Sequence, residues 1–156
     1  MTDLHCHILP AIDDGAKNAK VSMELLQMQN DAGITDIVCT PHFNPDSQNL
    51  EDFIDKRYRS ARYLADYVFR SELPVRLKFG AEVRISPTIL DLDFLPLCFQ
   101  KTKVMLLEMP RTLRPQWDTN VIYQLTFGGV IPLIAHIERY PYVQKNPNIA
   151  LDWIEA

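Results

Sequence analysis

The chain has 156 residues, 47% of them hydrophobic and 23% charged, with a formal net charge of −4. That size supports one domain with a real core, and the acidic balance argues against a general nucleic-acid-binding surface. No window approaches the roughly 18 apolar residues of a membrane span, and the opening Met-Thr-Asp lacks the basic and apolar regions of a signal peptide. A cytoplasmic protein without membrane insertion is therefore expected.

Thr2 to His7 reads as a first, short strand, and Asp13-Asp14-Gly15 as a turn. Asn18 is placed to cap a helix in which Val21, Leu25, Met28 and Ala32 recur at helical spacing, with Gly33 ending it. Ile34 to Thr40 is a β-branched strand that runs into Pro41-His42 and a polar loop, 43–48. The longest helix is expected from Asn49 to about Glu72, its stripe formed by Leu50, Phe53, Ile54, Tyr58, Ala61, Leu64, Ala65 and Val68. Lys56, Arg57, Arg59 and Arg62 read as its wet face.

Val75 to Glu82 alternates with period two and reads as a third strand; 86–97 is a short helix or irregular excursion. Lys103 to Glu108 is a buried strand ending in an acid. After a loop with Arg111 and Arg114, a helix is expected around Trp117 to Phe127, closed by Gly128-Gly129. Val130 to His136 is a fifth strand, in which Pro132 points to an edge or a bulge. A loop with Glu138, Arg139, Tyr140 and Pro141 leads to a last helix opening at Asn148, with Ile149, Trp153 and Ile154 apolar. Strand–helix alternation implies an α/β fold of about five parallel strands with right-handed crossovers.

The residues with ligand chemistry collect at one place in this scheme. Side chains two apart on an extended segment share a face, so His5 and His7 point the same way, and Cys6 points away from them. His42 follows the second strand, Glu82 ends the third, Glu108 the fourth and His136 the fifth, so all four histidines lie at strand C-terminal ends. In barrels and open α/β sheets that edge is where sites are built. A buried Glu after Val-Met-Leu-Leu is costly unless a cation relieves it. Asp13 and Asp14 add oxygen donors, with Asp14 favoured as the ligand and Asp13 as its neighbour or as turn chemistry. Mixed imidazole and carboxylate donors suit manganese, iron or zinc. The competing account pairs Glu82 and Glu108 with arginines and lets the histidines satisfy backbone groups. Cys6, Cys39 and Cys98 fit reduced thiols better than a disulfide framework.

The run His5-Cys-His-Ile-Leu-Pro-Ala-Ile-Asp-Asp-Gly15-Ala, together with Thr40-Pro41-His42, Gly80-Ala81-Glu82 and Ala135-His136-Ile137-Glu138-Arg139-Tyr140, resembles the PHP (polymerase and histidinol phosphatase) superfamily. Within it the chain is most similar to the bacterial capsule and exopolysaccharide protein-tyrosine phosphatases, over its whole length. The resemblance implies a distorted (β/α)7 barrel, here a single domain over 1–156, incomplete and truncated at its C-terminus. It implies a site of two or three ions, manganese with iron, zinc and cobalt as alternatives. His5, His7 and Glu82 would hold the first ion. Glu82, Glu108 and His136 would hold the second, and Asp14 and His42 the third. Arg139 would orient the phosphate. The implied substrate is a phosphotyrosine protein or peptide, the tail of a tyrosine autokinase. No nucleic-acid partner is implied, and homo-oligomer formation stays open.

The family's C-terminal Asp-x-His motif has no counterpart after His136. That leaves three accounts: a fragment of a longer protein, a site completed by a second chain or by water, or a decayed relative that binds metal without turnover. Another phosphoesterase of the superfamily, acting on a histidinol-phosphate-like ester, is the alternative activity. A phosphocysteine route is excluded, because it needs Arg six positions after Cys, and Ile12, Pro45 and Val104 stand there. Arg111 and Arg114 read as solvated loop charges, and Tyr140 and Tyr142 as loop packing.

Overall fold

The computed structural model describes residues 1–156. Seven strands are present: β1 (Thr2–Cys6), β2 (Asp36–Cys39), β3 (His42–Phe43), β4 (Arg76–Phe79), β5 (Glu82–Arg84), β6 (Val104–Glu108) and β7 (Ile131–Ile134). Five helices accompany them: α1 (Ala19–Asp31), α2 (Leu50–Ser71), α3 (Asp118–Phe127), α4 (Pro141–Lys145) and α5 (Ile149–Glu155). Every strand pair is parallel, in two sheets ordered β1-β2-β4 and β3-β5-β6-β7. The fold is α/β, as expected.

The expected five strands become seven because the third is broken and because a short strand, β3, follows Pro41 where a loop was expected. Pro41 has no N–H to give to a ladder, and it separates β2 from β3. Gly80-Ala81 separates β4 from β5, and a side chain at Gly80 would collide with the Phe99 ring, its Cβ 2.7 Å from Cδ1. Pairing nevertheless crosses both breaks, as Gly80 N–H donates to the Cys39 carbonyl at 3.0 Å and Glu82 N–H to the Pro41 carbonyl at 3.0 Å. In space the chain therefore has five strand positions in sequential order, with no reversal of winding.

Buried side chains lie on both faces of these strands, as parallel sheets require. Ile37, Cys39, Met105 and Leu107 face the helices and join Leu9, Leu26, Leu64, Ile85 and Leu125 in the main core. Val38 and Leu106, one residue out of phase, meet Phe99 and Ala135 in a small cluster on the opposite face. Pro132 lies on β7, which pairs only with β6 and so tolerates the missing donor.

Both long helices start where a side chain supplies the missing acceptor. Asn18 Oδ1 accepts from Val21 N–H and Asn49 Oδ1 from Asp52 N–H, both at 3.1 Å. Two expected faces are corrected. On α1 the buried residues are Ala19, Ser22 and Leu26, while Leu25 and Met28 are exposed. Ser22 can be buried because its hydroxyl donates to the Asn18 carbonyl. On α2, Phe53, Ala61 and Leu64 are buried as expected, but Tyr58 and Ala65 are exposed. Arg57 is half-buried and not part of the wet face, and Lys56, though exposed as expected, is tied down at its tip. Lys56 Nζ donates to the Ile12 carbonyl, and Arg57 donates to the carbonyls of Gly80 and Pro96, each at 2.8 Å. With Ser60 Oγ donating to Pro10 O, α2 braces the loop 10–14 that leads into the site.

Candidate metal centre

The strand ends converge on one carboxylate. Glu82 is 1% exposed and opens β5, opposite His42 of β3 in register. Its Oε2 lies 2.9 Å from His5 Nε2, 2.9 Å from His7 Nε2 and 3.3 Å from His42 Nδ1. That oxygen makes no hydrogen bond, although three ring nitrogens stand around it. Its Oε1 lies 2.8 Å from His136 Nε2. His5 and His7 do share a face, with their Nε2 atoms 3.2 Å apart, while Cys6 turns away and donates to the Val38 carbonyl. All three cysteines are free thiols.

Around Glu82 three groups of donors lie within 4.8 Å of one another: His5, His7 and Glu82; His7, Asp14 and His42; and His42, Glu82 and Glu108. The first is the set that the family resemblance implies for one ion. His136 stands nearest to Glu82 and 3.8 Å from Glu108 Oε1. Its Nδ1 is buried without a partner, and its backbone is left-handed (φ 32°), a conformation rare outside glycine. Asp14 is exposed, with Oδ1 3.5 Å from His42 Nε2.

The structure separates the two neighbouring aspartates. Asp13 turns inward, with Oδ2 2.8 Å from His7 Nδ1 and accepting from His42 N–H at 3.0 Å, while Oδ1 accepts from Gly15 N–H. It is the carboxylate behind an imidazole that fixes which ring nitrogen faces forward. Burial works against the charged form of His7, but Asp13 and Glu82 outweigh it and push the imidazole up to about 10. Burial likewise opposes the charge on Glu82, yet the contacts with His5 and His7 hold it well below the usual carboxylate range.

A cavity of about 370 Å³ opens over these groups, lined by His5, His7, Asp14, Gly15, His42, Glu82, Arg111, His136 and Arg139, with no apolar residue among them. Glu108 faces the adjacent depression beside Arg84. Arg139 reaches the mouth of the cavity with its side chain 61% exposed, 3.6 Å from Glu138. It touches no other charged group. Arg111 is 64% exposed, as expected of a solvated loop charge, and it also lines the cavity, 3.7 Å from Glu108. Arg114 does not belong to the site, since it pairs with Asp118 at 2.7 Å and Asp152 at 2.6 Å.

Two further contributors were not assigned from the sequence. A Cβ on Gly15 would stand 2.1 Å from the His7 carbonyl oxygen, so only glycine lets this turn close on His7. Tyr140 is fully buried. Its hydroxyl accepts from Met109 N–H and donates to the Ala135 carbonyl, each at 2.9 Å, which ties the residue after Glu108 to the residue before His136.

A family model described as capsular polysaccharide synthesis, CpsB/CapC, matches residues 1–155. Tyrosine-protein phosphatase YwqE of Bacillus subtilis is 32% identical over 158 residues, covering 99% of this chain and 61% of that protein. Tyrosine-protein phosphatase CpsB of Streptococcus pneumoniae is 27% identical over 160 residues, covering 94% and 60%. A crystal structure from work on YwqE and CpsB, described as unique metal-dependent tyrosine phosphatases, superposes with a TM-score of 0.88 at 32% identity, over 99% of this chain and 63% of that one. The chain thus spans about three fifths of the length of the relatives it matches.

Proposed function

The chain belongs to the CpsB/CapC family of capsular polysaccharide synthesis proteins, and on that premise we propose that it carries the metal-binding part of a phosphotyrosine hydrolase. The observation that carries the reading is the buried Glu82 Oε2, surrounded by imidazole nitrogens of His5, His7 and His42 and hydrogen-bonded to none of them. Such a convergence of buried donors fits cations and is costly without them. His5, His7, Asp14, His42, Glu82, Glu108 and His136 would hold two or three ions, manganese first on the mixed nitrogen and oxygen donor set, then iron, zinc or cobalt. Bound there, such ions supply Lewis acidity and positive charge for a phosphoryl group.

The chain's own residues do the rest. Asp13 holds His7 with Nε2 forward. Arg139 and Arg111 stand at the mouth, where a guanidinium fork matches phosphate oxygens and orients the ester. A tyrosine leaving group has a pKa near about 10, so it asks little of a general acid. The wholly polar cavity suits the phosphoryl group, leaving the tyrosine ring at its mouth. The substrate of this reading is a phosphotyrosine protein, the tail of a bacterial tyrosine autokinase. The reaction belongs in the cytoplasm, in line with the lack of any helix long and apolar enough to cross a membrane.

The same reading takes the fold as an incomplete (β/α)7 barrel of the PHP type, one domain over 1–156. In its support, the strand positions run sequentially, and the two outermost strands expose apolar side chains, Leu4 on β1 and Ile131 and Leu133 on β7. The second reading is a metal-binding module without turnover, in which the donor groups around Glu82 hold ions and nothing more.

The test is to load the purified chain with manganese, desalt it, and measure bound metal and phosphotyrosine-peptide hydrolysis on one sample. Bound metal that is lost in Glu82→Gln, with turnover lost in Arg139→Ala, is the expected result. Metal without turnover on either a phosphotyrosine peptide or a small phosphate ester sinks the hydrolase reading in favour of the module. Turnover on the small ester alone moves the substrate to another phosphomonoester. Absence of metal overturns the centre itself.

A further inference from the structure

A second depression, of about 560 Å³, runs between α2 and the segment that follows the 3-10 turn Leu95–Leu97. It shares no lining residue with the metal centre. The break in the third strand position divides the two: Phe79, before it, lines the groove, and Glu82, after it, lines the site. The groove exists because the connection from β5 to β6 carries only two short 3-10 turns, Pro87–Asp91 and Leu95–Leu97, and no helix of the length of α1 or α2. The face of α2 that bears Tyr58 and Ala65 is left open, which is why the expected apolar stripe is only partly buried. Tyr58 and Leu95 stand on its walls 62% and 56% exposed.

Its charge is one-sided. The charged lining residues are Arg57, Arg62 and Lys101, with no carboxylate, on a chain whose net charge is −4. Arg57 is half-buried and bonds only to the neutral carbonyls of Gly80 and Pro96, and burial lowers its pKa. Arg62 and Lys101 form no ion pair, whereas Arg59, on the outer face of the same helix, is paired with Asp55 at 2.5 Å. Arg62 and Lys101 are exposed, so the positive field they set over the apolar walls attracts a ligand that brings the opposite charge. Apolar walls with a few placed charges are the makeup of a recognition groove.

We propose that this groove binds an acidic peptide segment, seating an aromatic or aliphatic side chain on Tyr58, Phe79 and Leu95 and its carboxylates against Arg62 and Lys101. Because the groove lies apart from the metal centre, binding needs neither metal nor turnover, so it stands or falls independently of the hydrolase reading.

The probe is a fluorescein-labelled peptide, Asp-Glu-Phe-Glu-Asp-Leu-Glu, titrated by fluorescence anisotropy with the full metal-free chain. Saturable binding is expected, weakened about tenfold in the Arg62→Glu, Lys101→Glu double variant and lost when the acids of the peptide are replaced by lysine. A Tyr58→Ser, Leu95→Ser variant should also weaken it, which separates a peptide groove from a simple anion site. Circular dichroism confirms that both variants fold, and hydrolysis of para-nitrophenyl phosphate should match the unsubstituted chain. Absence of saturable binding, or equal binding by the charge-reversed variant, overturns the proposal. So does full displacement by millimolar inorganic phosphate, or a variant that changes only self-association in sedimentation.

Discussion

The carboxylate of Asp13 stands directly behind the imidazole of His7, Oδ2 to Nδ1 at 2.8 Å, while the far nitrogen of the ring faces Glu82 at 2.9 Å. One side chain thus sets the aim of another. Asp13→Asn keeps the size and the turn but weakens that hold. Manganese affinity measured by calorimetry should fall about 10- to 100-fold, and the metal-free chain should lose some thermal stability, because the pairing with His7 goes with the charge. Unaltered affinity would show that His7 is aimed by the backbone alone.

Gly15 and Gly33 offer a paired test of why a glycine is needed. Gly15→Ala places a Cβ 2.1 Å from the His7 carbonyl oxygen, and overpacking of that kind costs about 1–3 kcal/mol or more. It should also abolish metal binding, because His7 must move. Gly33→Ala meets open space, and its cost of about 1–2 kcal/mol comes only from its φ of +80°. Metal binding should survive it. Equal metal loss in both variants would place the effect in global stability rather than at His7.

Tyr140→Phe removes a single oxygen that serves two buried backbone groups, Met109 N–H and Ala135 C=O. The loss should be about 1–3 kcal/mol, read as a drop in Tm without metal. An unchanged Tm would mean that water replaces the hydroxyl.

Asp118 is buried and accepts from Arg114 Nε at 2.7 Å and Trp153 Nε1 at 2.8 Å, joining α3 to α5. Asp118→Ala leaves the indole N–H without its acceptor and the guanidinium with Asp152 alone. The expected cost is about 1–3 kcal/mol, with Trp153 fluorescence shifted to the red as α5 loosens. Blue-shifted or unmoved emission would refute the link.

Asp46 accepts from Ser86 Oγ at 2.5 Å and Thr88 Oγ1 at 2.8 Å, and these bonds hold its carboxyl below the usual range. A lowered folded-state pKa stabilises the protein above the unfolded-state pKa, and the gain is lost as pH falls through the folded value. The unsubstituted chain should therefore exceed Asp46→Ala in urea midpoint above about pH 4, and the gap should narrow below it. A gap that is constant with pH would exclude the carboxylate as its source.

Much of the site was legible because ligand chemistry is written in residue type and strand ends are written in pattern. His5, His7, His42, Glu82, Glu108 and His136 all follow from those two signals. The faces of the helices were less legible. α1 carries apolar residues on two sides, so Val21-Leu25-Met28 and Ala19-Ser22-Leu26 compete at the same spacing, and only the sheet beneath decides between them. Lys56, Arg57 and Arg114 were read as solvated because a charged residue rarely declares a buried partner. Most of their partners are far along the chain, at Ile12, Gly80, Pro96 and Asp152, and only Asp118 lies one helical turn from Arg114. Asp13 and Asp14 look alike in sequence, and the tightness of the Gly15 turn is what sends one inward and leaves the other in solvent.

His42 and Glu82 face each other as register partners of two very short strands, each just past a break. The spacing of these two candidate ligands is thus counted in backbone steps. Exchanging a neighbouring side chain leaves that count unchanged, whereas one residue inserted between Cys39 and His42, or between Phe79 and Glu82, would carry one of the pair out of step with the other. In these two short stretches the number of residues, and not only their identity, therefore sets the distance between an imidazole and a carboxylate.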